Sequence, residues 1–165
     1  MSQLEVLHYP NPLLRKKSKS VRRVTPEIKK LAEDMLDTMY KAPGVGLAAP
    51  QAGKLIRLIV VDIGDNPIVF INPKILKKSG KQTFNEGCLC LPGVEAPVER
   101  SAHVLVEGWD KNGAKQEIEA QGLLATVLQH EIDHLEGVLF IDRVKNQEDI
   151  KYPHLKNQEN FREIQ

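Results

Sequence analysis

The stretch LQHEIDHLEG, residues 128–137, sets two histidines four positions apart, with a glutamate straight after the first, inside an apolar run. Side chains four apart on a helix share one face, so His130 and His134 can present two ring nitrogens to one point about 2 Å from each, the length of a metal bond. Glu131 flanks that point without occupying it. This is an H-E-x-x-H pattern, which puts two metal ligands and a general base on one turn. The spacing predicts a helix over residues 123–136, stopped at Gly137. Two histidines leave a catalytic metal one protein ligand short, because open sites take three protein ligands and keep a position for water.

The rest of the chain must supply that ligand. Apolar residues at 28, 31, 32, 35, 36 and 39 recur at threes and fours, which predicts a helix over residues 26–41, capped by Thr25 with Pro26 in its first position. GVGLAAPQAG, residues 44–53, reads as a loop. Residues 56–63 and 68–76 are rich in β-branched side chains and predict two strands around a GDNP turn. Further strands are expected over 82–90, 98–109 and 115–120, with DKNG at 110–113 as a hairpin turn. From about residue 145 the sequence turns polar and is interrupted by Pro153. The order predicts an α+β fold, with antiparallel sheets packed around a central metal-binding helix and a second helix near the N-terminus. At 165 residues, one catalytic domain is expected.

Three sources compete for the third ligand. A metalloprotease continuation, H-x-x-G-x-x-H, is met at Gly137 but fails at Phe140, where the ligand belongs. Glu148 is a downstream carboxylate in a stretch with weak helical periodicity. EGCLC, residues 86–90, brings a thiolate, and one sulfur with two imidazoles suits iron(II), zinc, nickel or cobalt. Cys88 and Cys90 are the chain's two cysteines, too close together to staple a fold. In a strand, residues two apart face the same side, so spacing admits either sulfur.

Charge narrows the partners. With 23 Lys+Arg against 22 Asp+Glu, the net charge is +1, and no bulk field points to nucleic acid or to an acidic membrane. RKKSKSVRR, residues 15–23, holds six basic residues in nine without an aromatic to stack on bases, and reads as a solvated loop. Beyond residue 144, Lys145, Lys151, Lys156 and Arg162 are balanced by Glu148, Asp149, Glu159 and Glu163, leaving no basic handle for RNA. Residues 1–10 lack the apolar segment of a secretory signal, and no stretch approaches the roughly 20 apolar residues of a membrane crossing, so a cytoplasmic location is expected.

Three motifs in order, GVGLAAPQ (44–51), EGCLC (86–90) and HEIDH (130–134), resemble the G-x-G-x-A-A-x-Q, E-G-C-L-S and H-E-x-D-H motifs of the peptide deformylases. The resemblance extends over residues 4–144. It implies that Cys88 is the sulfur ligand beside His130 and His134, with Cys90 standing where the family has serine. It also implies one divalent ion, commonly Fe(II), and hydrolysis of the N-formyl group from formyl-methionine at the N-terminus of new polypeptides in bacteria or organelles. Contact with the ribosome would then be transient. The neighbouring classes are an H-E-x-x-H metalloprotease or other metal-dependent amidase, and a non-catalytic metal binder.

The residues suit amide hydrolysis. Such a metal lowers the pKa of its water toward about 7. Glu131 can take the proton and return it to the leaving amine. The side-chain amide of Gln51 and the backbone N–H of Leu89 are candidate donors to the developing oxyanion. Leu123, Thr126 and Val127 lie one and two turns before His130 and can line an apolar pocket for methionine, with Val45 and Gly46 at its border. Glu86 can cap or pair locally, and the resemblance implies a place for it behind the metal histidines; Asp133 is a candidate partner of Arg100.

Overall fold

Thr25 opens the first helix: its Oγ1 accepts from the Ile28 N–H at 3.2 Å, and Pro26 occupies the first turn, where its missing N–H is not needed. This helix, α1, is Pro26–Lys41. Among the described residues the strands are β1 Gly46–Ala48, β2 Leu58–Val61, β3 Ile68–Ser79, β4 Gln82–Cys88, β5 Leu91–Arg100, β6 His103–Trp109 and β7 Lys115–Gln121; the second helix, α2, is Gly122–Leu135. The structure, a computed structural model, describes residues 3–152, so Pro153 and the charges at 156–163 lie outside the described residues.

All strands pair antiparallel. Five form one sheet in the order β1-β2-β3-β6-β7, and β4 with β5 forms a separate hairpin. Alternation along β2 sends Ile59 and Val61 to one face and Leu58 and Val60 to the other. The first face joins Ala48, Phe70, Val104 and Val106 against Ala125, Leu128, Ile132 and Leu135 of α2. The second packs against Ala32, Met35 and Met39 of α1. The helices therefore cover opposite faces of the large sheet. A third apolar cluster lies under β5, where Val94, Ala96 and Val98 meet Leu14, Cys90, Leu139 and Phe140. No helix among the described residues is long and apolar enough to cross a membrane.

The α+β class and both helices agree with expectation, and DKNG is a turn in which Asp110 Oδ1 accepts from the N–H groups of Asn112 and Ala114. Gly137 ends α2 at φ +76°, with the Val138 N–H on the Asp133 carbonyl at 3.0 Å. Other boundaries need correction. Residues 44–53 are not wholly loop: β1 pairs with β2, and Ala49–Ala52 form one 3₁₀ turn. The strand expected over 98–109 is two strands that turn at residues 101–102, and β5 begins at Leu91, within a segment left unassigned by its proline and glycine. The polar segment after 144 is anchored where Lys151 pairs with Glu95 and Ile150 is buried. Within the basic cluster, Val21 is buried and its backbone N–H and C=O both bond the side chain of Asn72.

Candidate metal centre

Helix α2 is buried along most of its length, including Gln129, His130, Glu131 and His134. Gln129 fixes the approach of the hairpin, with its amide bonding both the N–H and the C=O of Ser101 just past β5. His130, the next residue, and His134, one turn beyond it, face the end of β4. There the Cys88 sulfur lies 3.3 Å from His134 Nε2, and the ligand atoms of Cys88, His130 and His134 all fall within 4.8 Å of one another. Among the described residues no other group of His, Cys, Asp and Glu gathers in this way. Neither alternative route joins it: at Phe140, where the metalloprotease continuation would need a ligand, the ring stacks on His130 at 6.0 Å between centroids, and Glu148 sits in an exposed 3₁₀ turn. Cys90 also lies outside the group, although its sulfur is 3.2 Å from that of Cys88.

Behind the histidines runs a chain of ion pairs. His130 Nδ1 meets Glu86 Oε1 at 2.8 Å, leaving Nε2 toward the sulfur side. Arg100 grips Glu86 with two bonds, at 2.7 and 3.0 Å, and reaches Asp133 at 2.9 Å. Arg143 then closes on Asp133 with two bonds at 3.0 Å. Each charge is matched, which is what burial of such groups requires. Burial works to raise the Glu86 carboxyl, yet the bonds from His130 and Arg100 outweigh it and hold it below the usual range. The Asp133 carboxyl is held low in the same way by Arg143 and Arg100, against burial. For His130, burial favours the neutral ring, but the charge of Glu131 and the bonds to Cys88 and Glu86 carry its pKa well above 6.5.

Glu131 stands apart from these pairs. Its Oε2 is 3.9 Å from His130 Nε2, its Oε1 is buried without a hydrogen-bond partner, and burial pushes its pKa up to about 7. Gly46 makes room for it: a Cβ there would lie 2.5 Å from Glu131 Oε2. The glycine thus has a reason beyond turning the chain. Gln51 is 1 % exposed; its Oε1 accepts from the Ala48 N–H at 2.8 Å, which turns its NH2 onto the Cys88 sulfur at 3.4 Å. The thiol of Cys88 is pushed up to about 12 by its bond with Cys90 and by burial. A cation among these donors reverses that preference, since a coordinating thiol is deprotonated.

These residues open onto a cavity of about 710 Å³ lined by Val45, Gly46, Leu89, Leu123, Thr126 and Val127, with His130 and Glu131 in its wall. Val45 and Leu123 are 45 % and 42 % exposed and sit at the rim, whereas Val127 and Thr126 are buried. Sequence reasoning missed other parts of the wall, among them Val6, His8, Phe84 and Leu91, and it missed Arg143. Phe84 carried a signal, since it lies two residues before Glu86 on the same strand face. His8 carried none: it sits in an irregular segment tied down by bonds from Leu7 N–H to the Gln51 carbonyl and from Tyr9 N–H to the Cys90 carbonyl.

The family model for polypeptide deformylase matches residues 3–149. A peptide deformylase of Nitrosococcus oceani is 51% identical over 145 residues, covering 86% of this chain and 87% of that protein. One of Syntrophomonas wolfei is 52% identical over 143 residues, covering 87% and 94%. Among solved structures, the peptide deformylase of Thermotoga maritima superposes with a TM-score of 0.86 at 40% identity, over 88% of this chain and 100% of that one. That of Synechococcus elongatus in complex with actinonin gives 0.86 at 46% identity, over 88% and 81%. With the match running from the N-terminal segment to beyond α2, the chain belongs to the polypeptide deformylase family.

Proposed function

We propose that Cys88, His130 and His134 hold one divalent metal ion and that, with Glu131 beside it, the chain works as a single catalytic domain. It is a metal-dependent hydrolase that removes the N-formyl group from the formyl-methionine of newly made polypeptides and releases formate. The observation that carries this reading is the convergence of one sulfur and two imidazoles within 4.8 Å, beside a buried carboxylate whose Oε1 has no hydrogen-bond partner. The donor set fits a divalent ion. His130 has its Nδ1 occupied by Glu86, and among the described residues the group has three members, the number that leaves a position open. Iron(II) is the metal we assign from the resemblance, and zinc, nickel and cobalt suit the same donors.

A divalent ion held there supplies acidified water near neutral pH and polarises the formyl carbonyl. Glu131, buried beside that position, accepts the proton of the attacking water and hands it to the leaving amine. Gln51 and the Leu89 N–H donate to the carbonyl oxygen as it gains charge, each contributing about 2.7–4 kcal/mol in enzymes of this kind. One N–H of Gln51 serves the Cys88 sulfur and the second remains for the substrate. Thr126 and Val127 at depth, with Leu123, Val45 and Gly46 at the mouth, suit the unbranched methionine side chain. Because β1 is an edge strand, the peptide beyond methionine can add to it as a further strand. We place the reaction in the cytoplasm of a bacterium, or the matching compartment of an organelle, with transient contact at the ribosome and no direct binding of nucleic acid.

The test is formate release from a formyl-methionyl peptide by protein prepared without oxygen, paired with metal analysis. Turnover proportional to bound metal, with unblocked peptides left intact, is the expected result. Cleavage of internal peptide bonds would make the chain a metalloprotease instead, and metal bound without any turnover would make it a binder.

A further inference from the structure

Cys90 is the place where this chain departs from the family motif. It is fully buried in the apolar cluster with Leu14, Val98, Leu139 and Phe140, and the Tyr9 N–H holds its carbonyl at 2.8 Å. The side chain has little freedom to swing. Its sulfur lies 3.2 Å from the Cys88 sulfur yet outside the group of atoms that can share a cation, so it touches the ligand and not the metal. The Cys88 sulfur, as a ligand, is a thiolate and carries no proton. The one proton of the pair then belongs to Cys90.

We infer that Cys90 is a positioning residue that donates its S–H to the Cys88 thiolate, so that with Gln51 two donors converge on the metal-binding sulfur and set how much electron density it gives to the metal. This rests on Cys88 being the ligand. Hydrogen bonds to a ligand sulfur tune a metal's electronic properties, and outer partners of ligands typically change metal affinity by about 10–100-fold. An S–H is a weaker donor than the O–H of the family's serine, so the thiolate in this chain stays richer in electrons.

Cobalt(II)-loaded protein reads this directly, through the sulfur-to-cobalt charge-transfer band. Withdrawing density from sulfur moves that band to higher energy. The expected order is Cys90→Ala lowest, wild type between and Cys90→Ser highest. Identical bands in all three proteins, or an alanine band at or above the wild-type energy, would overturn the inference. A packing role alone predicts no ordering by donor strength. Should the alanine variant fail to fold, serine against wild type still decides, since a band that does not rise refutes the donor. Cys88→Ala separates the two layers of the argument: if it keeps the band, the ligand assignment itself fails, and if it loses the band while the Cys90 series stays unordered, only the present inference does.

Discussion

The five-stranded sheet and the β4–β5 hairpin are both antiparallel, but they serve α2 in opposite ways. The large sheet meets it with Ile59, Val61, Phe70, Val104 and Val106, side chains that carry no charge and hold the helix by burial alone. The hairpin meets it with Cys88, Glu86 and Arg100. A two-stranded hairpin has little stability of its own, so its register against the helix depends on the polar bonds it makes there. The lesson is a division of labour: the sheet decides where the helix lies, and the hairpin decides what its histidines can bind.

The sharpest break is expected at Glu131, a buried carboxylate outside the Glu86–Arg100–Asp133–Arg143 chain. Glu131→Gln should lower kcat by about 10²–10⁴-fold while metal content stays at the wild-type level, if the carboxylate handles protons as proposed and is not a ligand. Loss of metal along with turnover would place it among the ligands instead. Next come two substitutions of similar size that separate the regions. Arg100→Met takes both arginine bonds from buried Glu86, leaving it His130 alone, and one from Asp133, which keeps Arg143; it should destabilise by about 3–5 kcal/mol, with metal affinity falling too. Phe70→Ala, in the sheet, should destabilise by about 3–5 kcal/mol through its cavity, yet leave activity per metal-loaded folded molecule unchanged. Denaturant titration beside metal analysis distinguishes them; equal loss of metal affinity in both would erase the division.

What could be read from the sequence follows the same line. Both helices declared themselves because their signals are local: a cap at Thr25, apolar residues at threes and fours, a glycine stop at 137. The strands were harder where pairing overrides propensity. β1 is three residues, Gly-Leu-Ala, which become a strand only because β2 lies alongside. β5 carries Pro92 and Pro97, tolerable because β5 has one partner strand and its other edge carries the isolated pairing of Glu95 with Lys151 rather than a strand. Period-2 alternation admitted both cysteines as ligands. It fails here because β4 ends at Cys88 after a register shift at Gly87, and the turn that follows carries Cys90 into the apolar cluster. The Glu86–Arg100 pair was hidden for another reason: its members are brought together by the hairpin register, which no local pattern specifies.

Gly46→Ala tests the boundary between the regions, since β1 belongs to the sheet while its missing side chain serves the site. The added methyl would press on the Glu131 carboxylate. Displacing a reacting group by about 1 Å can reduce turnover about 10²-fold. We expect kcat to fall by about that factor, with metal content and stability close to wild type. A fall in stability with kcat unchanged would mean that Gly46 serves only the strand.

The smallest effect expected is on stability against pH, and its sign differs between the groups. The folded carboxyls of Glu86 and Asp133 are held low, so their contribution is complete above about pH 4 and disappears as pH falls through their folded values. His130 has the opposite sign: raised well above 6.5, it contributes fully below that pH and loses its contribution as pH rises through the folded value. Glu131, raised from 4.5 to about 7, likewise loses stability as pH climbs between those two values. Metal-free protein should therefore be most stable on the acid side of neutrality and weaken toward pH 8, as read from denaturant midpoints. Metal loading should flatten that upper limb, because a ligand imidazole is neutral throughout. If the metal-free midpoint instead kept rising from pH 6 to 8, the ion pairs of the hairpin would not be coupled to His130 as its 2.8 Å bond to Glu86 requires.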